Sequence, residues 1–287
     1  MGFIYIFFSV SCSLAIAQIL KVAENNRMRV MNILVINYLA GALISIFNSA
    51  EFETVSLSVT DHGFVIGGMM VILGLIFIGN LVAYSRSIDR VGMGVSIAAM
   101  RMSLIFPIAV SLFIFNEELA SIRYLGIVIA LGALLLMVPK IKTKNISGIS
   151  DAWLPVLIFM MTGAADSSLK IYERLFSTQL SEELFVSGIF IISFLTGMGI
   201  LMKRGELHFT FKEIGYGIAT GIVNLYSSIF LIYALKLMPG SVVFPIVNVS
   251  LVILGTLIGV WIWKDTPTVK QWSGLAAAVI SIILLIG

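Results

Sequence analysis

The run Leu237–Trp263, LMPGSVVFPIVNVSLVILGTLIGVWIW, holds 27 consecutive residues without a charged side chain. About 20 apolar residues form a helix long enough to cross the roughly 30 Å hydrocarbon core of a bilayer. Because backbone N–H and C=O groups find no water there, a run of this kind has to satisfy them within its own helix. This stretch therefore predicts a transmembrane helix.

Runs of the same kind recur along the whole chain, so the sequence predicts an all-α, multi-pass protein of a plasma or inner membrane. Hydrophobic residues make up 59% of the 287 residues and charged residues 11%, whereas a soluble domain has about 25% charged residues. Lys236 and the Pro239-Gly240 turn separate the eighth predicted span from the ninth. The ten predicted spans are Gly2–Leu20, Val30–Ala50, Gly63–Ser85, Val91–Asn116, Tyr124–Pro139, Ala152–Leu169, Leu184–Met202, Ile214–Leu235, Leu237–Trp263 and Gln271–Gly287.

Basic residues are distributed unequally between the two sets of loops. Thirteen of the 18 lysines and arginines lie in the loops after spans one, three, five, seven and nine, four lie in the other loops, and Arg101 lies within a span. The positive-inside rule therefore places the Lys-rich loops in the cytoplasm and both chain termini outside. Since topology explains these basic residues, the sequence pI near 9.0 does not indicate a nucleic-acid partner.

The second half of the chain repeats features of the first half at a shift of 148 residues. In each half a long span ends in an acidic turn, followed by an aromatic residue, a glycine and a final apolar span. The matching pairs are Gly92 and Gly240, Glu117 and Asp265, Tyr124 and Trp272, and Gly126 and Gly274. Five spans per half would make the second half inverted, as in many secondary transporters. The predicted parts are a first repeat of residues 1–140, a connecting loop of residues 141–151 and a second repeat of residues 152–287.

Two stretches resemble the drug/metabolite transporter superfamily, in its ten-helix EamA-type branch. They are Ala99-Met-Arg-Met-Ser-Leu-Ile-Phe-Pro107 with Asn116-Glu-Glu118 and Gly126, and Phe244-Pro-Ile-Val-Asn-Val-Ser250 with Lys264-Asp265 and Gly274. The resemblance implies a central cavity between the halves, lined mainly by spans one, three, four, six, eight and nine, and transport without ATP hydrolysis. It also implies cytoplasmic termini, which is the opposite of what the charges predict.

Arg101 lies ten residues into the fourth span, a depth of about 15 Å at 1.5 Å per residue. A charge near the bilayer midplane costs about 2.5–3.5 kcal/mol on insertion scales, so the side chain should face the protein interior or a wet cavity. One interpretation is a binding site for a substrate carboxylate or phosphate, because a guanidinium forms bidentate pairs with such groups. The alternative is a structural pair with Asp166 or with helix carbonyls.

Asp166 lies in the sixth span, one helical turn before Lys170. One interpretation is a protonatable carboxylate that couples transport to a proton gradient. The alternative is an i, i+4 pair with Lys170, whose ammonium would then extend outward to the membrane interface.

Further polar side chains are predicted to line a site together with Arg101. Asn224 and Asn248 come at similar depths in spans eight and nine, and Asn80, Tyr84 and Tyr226 are further candidates for substrate binding. The alternative is that such groups hold membrane helices together, at about 0.6 kcal/mol each.

Pro107 and Pro245 lie inside the fourth and ninth spans, which are equivalent in the proposed repeat. Because proline removes a backbone hydrogen bond, each permits a kink. The two residues are predicted either as hinges for alternating access or as static bends.

These features favour a secondary transporter of a small anionic or zwitterionic metabolite, such as an amino acid or organic acid, over an enzyme. The spans contain no histidine pair and no Ser-His set, and the chain lacks a phosphate-binding Gly-x-x-x-x-Gly-Lys loop. The alternative is a flippase for a polyprenyl-phosphate-linked sugar or lipid headgroup. The sequence predicts no cofactor and no metal site. The expected partners are the substrate and the lipid bilayer, with the chain acting as a monomer or weak homodimer.

Overall fold

A computed structural model describes residues 1–49, 62–138 and 151–287. Within these ranges every regular element is helical, so the predicted all-α fold is confirmed. Residues 110–114 form a π-helical turn between α5 and α6. The helices are α1 Gly2–Asn25, α2 Val30–Asn48, α3 Gly63–Arg90, α4 Met93–Met102, α5 Ile105–Ala109, α6 Ser121–Leu136, α7 Trp153–Phe176, α8 Glu182–Arg204, α9 Phe211–Leu237, α10 Gly240–Trp261 and α11 Val269–Ile286.

The described ranges contain nine helical segments long and apolar enough to cross a membrane. One of them, Gly94–Ile114, is assembled from α4, α5 and the π-helical turn. The shorter apolar helix α6 has 16 residues, or about 24 Å of rise. The predicted multi-pass membrane protein is therefore confirmed. The predicted span ends at Ala50 and Pro139 and residues 141–150 of the predicted connecting loop lie outside the described residues.

The fourth predicted span is interrupted close to Pro107, where the sequence permits a kink. Helix α4 ends at Met102 and α5 begins at Ile105. Pro107 explains the break, because it has no N–H to donate to the carbonyl of Ser103. That carbonyl instead accepts from the N–H of Phe106 at 3.0 Å. Pro245, in contrast, is accommodated inside the continuous helix α10.

The helices form two compact units, each drawn from both halves of the sequence. Unit 1 comprises Met1–Ile78 and Ile171–Lys236, and unit 2 comprises Gly79–Lys170 and Leu237–Gly287. The boundaries fall inside α3 and α7. These units are therefore organised differently from the predicted repeats, which follow the order of the chain.

Helix α2 is the centre of unit 1 and is approached closely by α8 and α9. The ring of Phe190 on α8 lies against Gly41, where an added Cβ would be 2.6 Å from the ring. On α9, a Cβ at Gly221 would lie 2.6 Å from the backbone oxygen of Asn37. Small residues at such crossings allow close backbone approach, which is the main source of helix association in a membrane.

In unit 2, α6 and α11 pack together through positions that correspond under the 148-residue shift. The close approaches are also reciprocal, since Gly126 faces Leu284 and Leu285 while Gly274 faces Leu136 and Met137. The corresponding buried positions are Gly126, Ala130, Ala133 and Met137 on the α6 segment and Gly274, Ala278, Ser281 and Leu285 on α11.

The two acidic turns of unit 2 also share an unusual backbone. Asn116 and Lys264 are 148 positions apart and both are left-handed, with φ of 49° and 60°. The next residue donates its N–H six positions back in each turn, from Glu117 to Ser111 at 3.1 Å and from Asp265 to Gly259 at 3.0 Å. This correspondence supports a repeat that relates spans four and five to spans nine and ten. A repeat over all five spans stays a prediction.

We predict that Gly221→Ala destabilises the protein whereas Gly215→Ala, in the same helix, does not. The new Cβ at position 221 would overlap the backbone of α2, and overpacking of this kind costs about 1–3 kcal/mol. Position 215 has no neighbour within 4 Å of an added Cβ, and alanine favours a helix more than glycine does. Thermal unfolding of both variants in detergent is the measurement. Equal melting temperatures for the two variants would contradict the close α2–α9 packing.

Candidate functional site

Arg101 lies in the last turn of α4, immediately before the break at Ser103. Its Nη1 donates to Oδ1 of Asn248 on α10 at 3.2 Å. Its Nε is buried and has no hydrogen-bond partner among the described residues. Within the same ranges no carboxylate oxygen lies within 4.0 Å of the guanidinium. The cation is therefore hydrogen-bonded to a neutral amide, and part of its donor fork is unused among the described residues.

Asn248 is oriented for this contact by its own helix. Its Nδ2 donates to the backbone oxygen of Phe244 at 3.1 Å, which leaves Oδ1 as the atom that accepts from Arg101. The two predicted site residues are thus in direct contact. Because an amide oxygen carries only a partial charge, this contact positions the guanidinium without neutralising it.

Three further predicted residues lie in unit 2 with Arg101. Tyr84 on α3 and Asp166 on α7 both interact electrostatically with the guanidinium. One helical turn from Tyr84, Asn80 donates from Nδ2 to Oγ1 of Thr162 at 2.9 Å, and its buried Oδ1 has no partner in the described part of the chain. These positions combine one cation, one carboxylate and several hydrogen-bonding groups.

Lys170 is buried within the protein, whereas the alternative interpretation of the Asp166–Lys170 pair expects its ammonium to extend outward. The lysine is only 3% exposed. Its Nζ lies 3.1 Å from Oε1 of Glu117. A buried ammonium needs a paired carboxylate, and Glu117, from the first of the two acidic turns, supplies one.

Glu117 also caps the start of α10. Its carboxylate accepts from the N–H groups of Gly240 at 2.9 Å and Ser241 at 3.0 Å, and from the Ser241 hydroxyl at 2.7 Å. Burial raises the pKa of Glu117, but the hydrogen bonds from Ser241 and Gly240 and the charge of Lys170 outweigh it and hold this pKa below 4.5. This three-way contact, the Glu117 latch, joins α10, α7 and the turn after the π-helical segment.

Asn224 and Tyr226 lie in unit 1. Asn224 donates from Nδ2 to Oδ1 of Asn37 at 3.1 Å, which joins α9 to the buried centre of α2. Tyr226 accepts from Nδ2 of Asn48 at 3.2 Å. The Asn224 contact has the form of interhelical polar packing. A shared site of these residues with Arg101 stays a prediction.

A second ionic cluster in unit 1 was missed by the sequence interpretation. The Glu213 carboxylate accepts from Arg29 through Nε at 3.0 Å and Nη2 at 2.9 Å, and from Nδ2 of Asn32 at 3.2 Å. The N–H of Thr210 donates to the same carboxylate at 2.9 Å. Because protein donors occupy its acceptor positions, this carboxylate serves to join the starts of α2 and α9.

Comparison with known proteins gives one relative along nearly the full chain. No protein-family model matches. An uncharacterized protein of Haemophilus influenzae is 25% identical over 292 residues, which cover 97% of this chain and 96% of the relative. A shorter match of 71 residues, 31% identical, is to the probable 4-amino-4-deoxy-L-arabinose-phosphoundecaprenol flippase subunit ArnE of Proteus mirabilis. It covers 24% of this chain and 62% of that protein.

The fold is also found among solved structures, for example in a crystal structure of another protein. It superposes with a TM-score of 0.70 over 99% of this chain and 95% of its own, at 12% sequence identity. This structural similarity establishes the fold. At 12% identity it gives no information about function, which has to be argued from the site.

We predict that Glu117→Gln destabilises the protein at neutral pH by on the order of 3 kcal/mol, since it removes the carboxylate that lies 3.1 Å from the buried Lys170 ammonium. The neighbouring exposed Glu118, changed to Gln, is the matched control and should have little effect. Because the folded-state pKa of Glu117 is depressed, its contribution is fully present above pH 4.5 and is lost as the pH falls through the lower folded-state value. Thermal unfolding of wild type and both variants from neutral to acidic pH measures this difference. If the difference in melting temperature between wild type and Glu117→Gln did not become smaller in acid, the stabilising role assigned to the Glu117 carboxylate would be contradicted.

Proposed function

We propose that this chain is a secondary transporter of a small polar metabolite that carries a carboxylate or phosphate, such as an amino acid or organic acid. The observation that supports it best is Arg101, a half-buried guanidinium contacted by Asn248 with a buried Nε that has no partner in the described residues. A charged side chain at membrane depth is costly and is by default functional. A substrate anion would supply the missing acceptor.

The substrate-binding residues in this proposal are Arg101 and Asn248, with Asn80 and Tyr84 in the same unit. A carboxylate would accept from Nε and an Nη of the guanidinium in the bidentate geometry that such pairs favour. Asp166 would be the group that exchanges a proton during the cycle.

Alternating access would use the break in the fourth span. The chain between α4 and α5 has lost regular helical bonding at Ser103, two residues after Arg101, so Pro107 gives a point where the span can bend. The Glu117 latch would hold one conformation, because opening it separates Lys170 and the start of α10 from their carboxylate. Pro245 would be the corresponding bend of the second repeat.

The partial similarity to ArnE supports membership of the drug/metabolite transporter superfamily, in an EamA-type arrangement of two inverted five-helix repeats. ArnE is a subunit of a flippase, and the matched acidic turns of unit 2 are consistent with such a repeat. A location in the inner or plasma membrane, as a monomer or weak homodimer, is part of this proposal. The loop charges favour external termini.

The test is anion transport by the Arg101→Gln variant in proteoliposomes. Suitable anions would first be found by a thermal-shift screen of amino acids, organic acids, nucleosides and sugar phosphates, since a ligand of the native state raises its stability. Loss of one partner of a buried charge pair costs about 2–5 kcal/mol, so uptake should fall roughly 30-fold or more. Arg101→Lys should recover part of the activity, because it keeps the charge and loses the planar fork.

Arg86→Gln is the matched control, since Arg86 is an exposed arginine at the end of α3. It should transport at the wild-type rate. All variants should keep the wild-type melting temperature without ligand. If Arg101→Gln took up the anion at the wild-type rate, Arg101 would not bind the substrate. The proposal of an anionic substrate would then be refuted.

A flippase for a polyprenyl-phosphate-linked sugar is the second candidate, favoured by the local similarity to ArnE. Arg101 would then bind the phosphate of a lipid carrier. Movement of a fluorescent polyprenyl-phosphate sugar between leaflets, measured by quenching from outside the vesicle, distinguishes the two functions. The flippase would be favoured if the wild-type protein moved the lipid but took up no soluble anion, and if Arg101→Gln abolished the lipid movement.

A further inference from the structure

Unit 1 contains a cavity of about 110 Å³ beside the first turn of α8. Its lining includes Ser45, Asn48, Glu183, Tyr226, Phe230 and Tyr233. A cavity of about 150 Å³ holds a benzene molecule of six heavy atoms. This cavity is therefore large enough for a compact group of four or five heavy atoms.

One side of the cavity is an aromatic wall. On α9, Tyr226, Phe230 and Tyr233 follow each other at i, i+4 and i+7, so their rings share one helix face. Tyr226 stacks on Phe230 with ring centroids 5.8 Å apart, and Tyr5 of α1 lies 5.4 Å from Tyr233. The face of such a ring is electronegative and attracts a cation placed within about 6 Å of the centroid.

A carboxylate stands at the edge of this wall. Oε1 of Glu183 accepts from the Tyr233 hydroxyl at 3.0 Å. The Glu183 backbone oxygen accepts from Oγ of Ser45 at 2.6 Å. These two contacts fix the residue beside the cavity. In the described residues the Glu183 carboxylate has no lysine or arginine within ion-pair distance.

The nearby lysine is already paired. Nζ of Lys236 contacts Oε1 of Glu182 and lies 5.9 Å from the centroid of the Tyr233 ring. Glu182, Glu183 and Lys236 together carry one net negative charge. Acidic residues in a first helical turn also stabilise the helix dipole, which explains their place in α8 but not the aromatic surroundings of Glu183.

We propose that this cavity binds a methylated ammonium group, with the cation against Tyr226 and Phe230 and its charge balanced by Glu183. Aromatic rings and a carboxylate around a small cavity are the combination that recognises quaternary ammonium ions. A primary ammonium or an alkali-metal cation would keep more hydration than this mainly apolar lining can replace. The site lies within unit 1 and its occupancy does not depend on Arg101 or on transport.

The test is binding of tetramethylammonium and choline to the purified protein, measured by calorimetry in a detergent without choline groups. The uncharged choline isostere 3,3-dimethylbutan-1-ol is the matched ligand. Both cations should bind and the alcohol should bind at least about ten-fold more weakly, since it fills the cavity without the charge. Equal binding of the alcohol, or no binding of either cation, would overturn the proposal.

Variants identify the site. Glu183→Gln keeps an oxygen for the Tyr233 hydroxyl and removes the charge, so affinity for choline should fall about ten-fold. Tyr226→Leu should weaken binding, whereas Tyr226→Phe keeps the ring and should retain it. Lys236→Gln should strengthen binding, because it removes the competing cation beside Tyr233.

Glu24→Gln is the control for lost charge, because Glu24 is an exposed carboxylate of unit 1. It should bind choline as the wild type does, and each variant should melt near the wild-type temperature. Wild-type affinity in Glu183→Gln would refute the site.

The same group is present in free choline and in the headgroup of phosphatidylcholine. Calorimetry in nanodiscs separates the two sources. If tetramethylammonium bound more weakly in phosphatidylcholine nanodiscs than in phosphatidylglycerol nanodiscs, the phosphatidylcholine headgroup would be competing for the cavity. The lipid headgroup would then be identified as the occupant. An equal response in both would identify a soluble ammonium ligand.

Discussion

Water is absent from the hydrocarbon core of a bilayer, and this constraint governs both backbone and side chains of the chain. Backbone groups are satisfied inside helices. Polar side chains have to find partners on neighbouring helices, as Asn224 does on Asn37 and Asn80 does on Thr162. Arg101 meets this requirement only in part, because its Nη1 donates to the amide of Asn248 while its buried Nε has no hydrogen-bond partner in the described part of the chain. This unused donor is the reason for proposing a substrate there.

Ionic contacts in this protein have two different forms. The carboxylates of Glu213 and Glu117 are each surrounded by several donors, and each joins neighbouring helices. Such groups are already satisfied and stabilise one arrangement of the helices. Arg101 and Glu183 have fewer partners and lie beside polar or aromatic side chains. The number of hydrogen-bonding and ionic partners of a charged group therefore separates the structural ion pairs from the candidate binding sites.

Local sequence patterns predicted the helices well, because apolar length and the absence of water fix them without tertiary information. The contact between Arg101 and Asn248 could be anticipated from depth along two spans. The pairing of Lys170 with Glu117 could not, since each residue lies at the polar end of its span and their distance depends on packing. The i, i+4, i+7 spacing of Tyr226, Phe230 and Tyr233 was visible in the sequence, but the role of Glu183 beside it required coordinates. Pro107 marked the interrupted span, while the same residue type at Pro245 left α10 continuous.

The division of the chain into compact units has a consequence for biosynthesis. Unit 1 begins with the first residue and is completed only at Lys236, while most of unit 2 is translated in between. Helix α2, which carries the centre of unit 1, is therefore inserted long before α8 and α9 reach the membrane. During that interval its glycine-bearing surface and Asn37 have to be accommodated by lipid or by the insertion machinery.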